Sequence, residues 1–167
     1  MIKVDQKTRY EDFQMWEPLL AEGMTEAIEA GAVRAVYGDD GFWAMPLGDM
    51  FTVMAGDPRP LTGDSPDTVF SVYRVKAFGK FVDDLIEKLN SLRLPQTPDD
   101  IRASQGCLEY AFDESVYVFC RSYFNLPGFE AVERLKVADL IMAKKDSYNQ
   151  AVVERNMAAS IRKGAKA

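Results

Sequence analysis

The 167-residue sequence predicts a mainly α fold, a helical domain of about six to eight helices with one small β-hairpin, in a single domain over residues 1–167. Apolar residues recur at three- and four-residue spacing through most of the chain, and Pro- and Gly-containing turns divide those runs into helix-length pieces. Only residues 33–45 combine short apolar and aromatic runs with a central turn, which is where the hairpin is placed. The length suits one core, since a domain becomes self-sufficient at roughly 100–150 residues. With 47% apolar and 28% charged residues, the chain can bury enough surface to offset the entropy of ordering it.

Residues 10–30 read as helical, with Phe13, Trp16, Leu19, Leu20, Met24, Ala27 and Ile28 at helical spacing and Trp16 expected in the core. Pro18 divides this run, because an interior proline removes a backbone donor and clashes with the preceding turn; Gly31 supplies a stop. Glu11, Asp12, Glu17, Glu22, Glu26 and Glu29 fall largely on the other face. Residues 33–37 and 42–45 flank Gly38-Asp39-Asp40-Gly41 as the predicted hairpin, which needs helices to lie against because a two-stranded ribbon is marginal alone. Pro46 ends it, and residues 47–55 form another short helix.

Residues 56–67, with Pro58, Pro60, Gly63 and Pro66, make the clearest internal loop, joining subregions 1–56 and 66–167 of one domain. Ser65 reads as the cap and Pro66 as the first turn of the most secure helix, along which Phe70, Tyr73, Ala77, Phe81, Leu85, Leu89 and Leu92 form a stripe. Within it, residues 69–75 are also compatible with a strand. Pro95 ends that helix, and Thr97-Pro98-Asp99-Asp100 is a capping box, with Asp in the usual Glu position, opening a helix through Ile101, Ser104 and Leu108. Residues 113–124 follow as a helix with Val116, Phe119, Cys120 and Tyr123 inward, though residues 116–120 are β-rich in propensity. After a turn at residues 125–128 comes a short helix at 129–135. The last helix starts near residue 137 and continues past 157, because Val137, Ile141, Tyr148 and Val152 share one face. Leu47-Gly48-Asp49-Met50-Phe51 and Val137-Ala138-Asp139-Leu140-Ile141 share an apolar, small, Asp, apolar, apolar pattern, too short to establish a duplication.

Charge is uneven. Residues 1–73 carry 5 Lys/Arg against 13 Asp/Glu (net −8) and residues 74–167 carry 15 against 13 (net +2), summing to −6. Such a balance attracts basic partners and disfavours direct nucleic-acid binding. From Lys144 onward six basic residues face two acids, which suits a helix C-terminus or a contact arm for an acidic surface. The chain has no histidine, so Ser-His-Asp, Cys-His and His-ligated metal chemistry are excluded. It also has no phosphate-cradling, dinucleotide, nucleophile-elbow or EF-hand motif. Cys107 and Cys120 read as two buried reduced thiols, too few for a disulfide scaffold or a zinc site. No apolar run reaches the length of a membrane span and the first residues lack a secretory stretch, so the expected location is the cytoplasm.

Two constellations remain. Asp39, Asp40, Asp49 and Asp57 could hold magnesium if they converged on a cleft, although Asp-Asp-Gly makes turns without any ligand. Phe42, Trp43 and Met45 are the candidate interface residues, large side chains of the kind that anchor protein contacts; the competing reading buries one face of the ribbon. No catalytic residue, metal ligand or cofactor is assigned.

The segments Trp43-Ala44-Met45-Pro46-Leu47-Gly48-Asp49, Arg121-Ser122-Tyr123-Phe124 and Leu140-Ile141-Met142-Ala143-Lys144-Lys145-Asp146 resemble, in pattern, small assembly and accessory proteins encoded by bacteriophages. That resemblance implies a helical, non-enzymatic protein acting in virion or tail assembly, located in host cytoplasm or virion, and transfers no functional residue. The leading expectation is thus a protein that binds another protein, one with a basic surface, through an acidic N-terminal half and an apolar patch; a homo-oligomer is compatible with it. The alternatives are an acidic nucleic-acid mimic inhibiting a host defence or regulatory protein, and a magnesium-dependent enzyme using the Asp cluster.

Overall fold

The computed structural model describes residue 4 and residues 6–164; residues 165–167, the end of the basic tail, and Asp5, one of the N-terminal acids, lie outside the described residues. Along the chain come α1 (Tyr10–Phe13), α2 (Glu22–Tyr37), α3 (Leu47–Met54), α4 (Arg59–Thr62), α5 (Val69–Ser91), α6 (Pro98–Ala103), α7 (Phe112–Tyr123), α8 (Phe129–Glu133) and α9 (Val137–Gly164), with 3-10 turns at Glu17–Leu19 and Gly41–Ala44. The mainly α class holds. Among the described residues no helix is long and apolar enough to cross a membrane.

The hairpin does not form. Residues 33–37 are the last turns of α2, which runs through Gly31 and stops at Gly38, whose φ of 70° suits a glycine after a helix. Residues 41–44 make a 3-10 turn that drives the Phe42 ring against Tyr37, Phe78 and Phe81. An apolar run of five residues is too short for its periodicity to separate strand from helix, and here packing against α5 decides for helix. The same packing makes residues 69–75 helical, with Val69, Tyr73 and Arg74 buried.

Other expectations shift with burial. Trp16 is 46% exposed, outside the core, because Pro18 sits within a 3-10 turn that angles its segment away. Cys107 is exposed in the stretch after α6, whereas Cys120 is buried. Thr68, in place of Ser65, caps α5 by accepting from the Ser71 backbone N–H at 3.3 Å. The predicted capping box at Thr97 and Asp100 is present. The helix it opens ends at Ala103, short of Leu108.

The Pro/Gly-rich loop is not a spacer. It contains α4, whose Leu61 and Thr62 are buried, and Tyr37 donates its hydroxyl to the Pro60 carbonyl at 3.2 Å. The larger apolar core draws on both sides of that loop, with Met45, Leu47 and Met50 packed among Leu85, Val132, Val137 and Leu140. A smaller cluster of Phe13, Ala32, Val69 and Tyr73 joins α1 and α2 to the start of α5.

Two pairs of helix starts are stitched together by backbone. The Leu47 N–H donates to the Leu135 carbonyl at 2.8 Å while the Val137 N–H donates to the Met45 carbonyl at 3.0 Å, an antiparallel bridge between Pro46 and Lys136. Likewise the Tyr10 N–H donates to Asp67 and the Val69 N–H to Thr8, both at 2.8 Å, bridging Arg9 and Thr68. The repeated five-residue pattern marks the first of these pairs: Leu47, Met50 and Phe51 are buried, as are Val137, Leu140 and Ile141.

Gly48 lets α3 close on α8, since a Cβ there would lie 2.9 Å from the Glu133 Cβ and 3.4 Å from its carbonyl oxygen. Gly48→Ala should therefore lower stability by about 1–2 kcal/mol in urea denaturation, despite alanine's better helix propensity, because α8 must shift to admit the methyl group. Burial pushes the Cys120 thiol up to about 11. A thiol-reactive dye at pH 8 should accordingly label one cysteine per native chain, Cys107, and the second only on unfolding.

Candidate functional site

The residues predicted to anchor an interface do not share a surface. Phe42 and Met45 are buried in the larger core, and only Trp43 is partly open. Its indole stands edge-on to Phe81 at 5.1 Å, with the Lys88 ammonium 4.8 Å from the ring centroid. The carboxylates are equally dispersed. Asp39 pairs with Arg34 at 3.2 Å, and Asp57 is held by the Arg59 guanidinium, which keeps its carboxyl below the usual range. Asp49 lies in the first turn of α3, where partial burial raises its carboxyl. Among the described residues no group of three carboxylates or cysteines is arranged to hold a metal ion.

A different feature stands out. Phe13, Leu20, Met24, Ala27, Ile28 and Phe70 line an open apolar cleft of about 400 Å³ between α1, α2 and the start of α5. Met24, which lines it, is 52% exposed, and the segment between α1 and α2 leaves Met15 and Leu19 each 75% and Trp16 46% exposed. A chain that folds this way leaves an apolar cleft open to water, a feature that marks binding sites more often than it marks chance. Its origin is local: Pro18 and the 3-10 turn break the run at residues 10–30 into pieces, so one helical face cannot turn all its apolar residues inward. The sequence carries that signal, more large apolar side chains between residues 13 and 28 than one helix face can bury, next to a proline.

One polar clasp holds the rim. Glu17 accepts from the Tyr10 hydroxyl at 2.6 Å, from the Tyr73 hydroxyl at 2.9 Å and from the Lys76 ammonium at 2.7 Å. The same ammonium donates to the Tyr10 oxygen at 3.3 Å and sits 4.8 Å from the Tyr73 ring centroid. The hydrogen bond from Lys76, then that from Tyr10, holds the Glu17 carboxyl down at about 2.

The segment that supplies most of the cleft is acid-rich in sequence. Residues 10–33 contain six acids and no Lys or Arg. Three of those acids are neutralised locally, Glu11 by Arg9, Glu17 by Lys76 and Glu29 by Lys80. Asp12 and Glu26 are exposed and in no ion pair among the described residues. The arrangement can seat an apolar side chain; among the described residues that line it the cleft presents no nucleophile or acid–base pair. In comparisons with known proteins, no family model, no curated protein and no solved structure matches the chain.

The clasp makes stability pH-dependent. A carboxyl depressed from 4.5 to about 2 contributes stability that is complete above 4.5 and is lost as pH falls through about 2. Because the Glu17 and Lys76 side chains remain partly open to solvent, that contribution is about 1 kcal/mol after screening. Glu17→Gln should cost roughly this much at neutral pH in urea denaturation and should flatten the fall in stability between pH 4.5 and 2.

Proposed function

We propose that this protein works by binding another protein, docking in its N-terminal cleft a segment that carries apolar side chains beside basic ones. The observation that supports it is the exposed apolar cleft, lined by Phe13, Leu20, Met24, Ala27, Ile28 and Phe70, in an N-terminal half whose formal charge is −8. Apolar contact would supply most of the affinity, and the acids would steer and orient a basic partner. The resemblance to phage-encoded proteins makes virion or tail assembly, or an accessory role there, the proposed setting.

The nucleic-acid-mimic reading is less favoured. It needs a continuous stripe of free carboxylates, whereas Glu11, Glu17, Glu29, Asp39 and Asp57 each sit in an ion pair with a base of this chain. A magnesium-dependent reaction is not favoured either, since Asp39 and Asp57 are engaged by Arg34 and Arg59.

A photoreactive amino acid placed at Leu19, 75% exposed and next in the chain to the cleft-lining Leu20, and separately at Leu108, which is 90% exposed elsewhere, tests the reading. Irradiation in the cells that make the protein should give a discrete protein adduct from position 19 and none from position 108. Equal labelling from both, or none from either, would remove the basis for a cleft-directed partner.

A further inference from the structure

Helical spacing places Asp113, Glu114, Tyr117 and Val118 on one side of α7. With Tyr110 just before that helix and Phe129 at the start of α8, they line a pocket of about 420 Å³ that shares no residue with the N-terminal cleft. The Phe129 ring stands at 89° to that of Tyr117, with centroids 5.0 Å apart. Tyr117 is fixed in place, since its ring packs on Phe51 at 4.7 Å and its hydroxyl donates to Glu133 at 3.1 Å. Glu114 is fixed too, by accepting from the Ala111 N–H at 3.0 Å. Tyr110, Val118 and Phe129 are exposed, so aromatic and aliphatic walls face water beside two carboxylates.

The helix dipole favours acids in a first turn, which accounts for Asp113 and Glu114 but not for three aromatic rings around them. Elsewhere the chain answers such groups with its own cations. At the start of α6, Asp99 pairs with Arg102 and Asp100 with Arg155, while Lys76, Lys88 and Lys144 lie over the rings of Tyr73, Trp43 and Phe119. Here that answer is missing. Among the described residues no ion pair engages Asp113 or Glu114, no cation lies over Tyr110, Tyr117 or Phe129, and no Lys or Arg lines the pocket. Residues 103–120 carry three acids and no base.

We propose that this pocket binds a methylated ammonium group, the head of a choline-type solute or of a choline lipid. Ring faces are electron-rich and attract a cation, and the two carboxylates supply its counter-charge. Methylation selects this cation over others: its methyl groups shed water cheaply against Tyr110, Tyr117, Val118 and Phe129, whereas a divalent metal needs a shell of oxygen ligands. Among the described residues no group of three carboxylates or cysteines offers such a shell. Tyr117 and Glu114 are held before any ligand arrives, which spares the cost of ordering them. The proposal is independent of the reading of the N-terminal cleft.

The test follows the aromatic proton resonances of the full chain by NMR during titration with tetramethylammonium or choline at constant ionic strength. Saturable shifts at Tyr110, Tyr117 and Phe129 should appear with a Kd of order 1 mM, as suits an open pocket of a few rings. The neutral isostere of choline, with a tert-butyl group in place of trimethylammonium, should bind at least tenfold more weakly. Tyr110→Leu, Phe129→Leu and Asp113→Asn alter exposed side chains, and each should weaken binding about threefold or more; circular-dichroism melting checks that they fold. No saturation by about 50 mM, equal binding of the isostere, or variants that bind like wild type would each overturn the proposal. Phosphatidylcholine vesicles that co-sediment wild type but not Asp113→Asn, where phosphatidylglycerol vesicles sediment neither, assign the head group to a lipid. Choline binding without co-sedimentation assigns it to a free solute.

Discussion

The architecture depends on how its helix starts are satisfied. The first N–H groups of a helix have no partner within it, and side chains such as Ser, Thr or Asp ordinarily supply one. Here α1 and α3 begin after Arg9 and Pro46, and Lys136 precedes α9; none of these side chains can accept a hydrogen bond. Their first N–H groups are satisfied by the backbone of another helix's entry, in two reciprocal pairs. Each pair fixes two helices at one point, so the distance and relative direction of α3 and α9, and of α1 and α5, follow from main-chain geometry. Side-chain packing then fills the space between them, and where it is tightest, at Gly48, only a hydrogen fits against Glu133.

Arg74 extends this logic into the interior. Buried on α5, it donates to the carbonyls of Leu61 and Ala32 and to the Ser71 hydroxyl, linking α4 and α2 to the central helix. Desolvation lowers its pKa, and among the described residues no carboxylate pairs with it to offset that cost; neutral acceptors do so instead. The polar links matter because the N-terminal cluster is small. Tyr73 serves both systems, packing edge-on against Phe13 at 6.1 Å and donating to Glu17. The N-terminal segment is thus pinned by directional bonds at its edges, while its apolar middle stays open as the cleft.

Helix class, the order of most elements, the capping box at Thr97 and the long terminal helix were legible from periodicity and punctuation, because those segments are amphipathic and their patterns are unambiguous. The hairpin was not, since Val33 and Phe42 are buried within α2 and a 3-10 turn, and a run of five residues is too short to tell one period from the other. The interface residues followed from that error: Phe42 and Met45 looked like anchors only on a ribbon with two faces. Trp16, Leu19 and Met24 were read from spacing as an inward stripe, which assumes a partner for the whole stripe within the chain. Pro18 removes that assumption, but only three-dimensional placement shows which side chains are left outside.

Charge separation sets which encounters are possible. At −6 the molecule repels its own copies on average, and two N-terminal halves, each formally −8, repel most strongly. The remaining residues carry +2, with four cations and no acid from residue 155 to the end of the sequence, so basic surfaces meet an N-terminal half more favourably than acidic ones do. With a screening length of about 8 Å at physiological salt, the net repulsion fades between distant parts while contacts at the cleft do not. A molecule built this way resists indiscriminate clustering with its own copies, and its N-terminal half is the part that a basic partner meets most favourably.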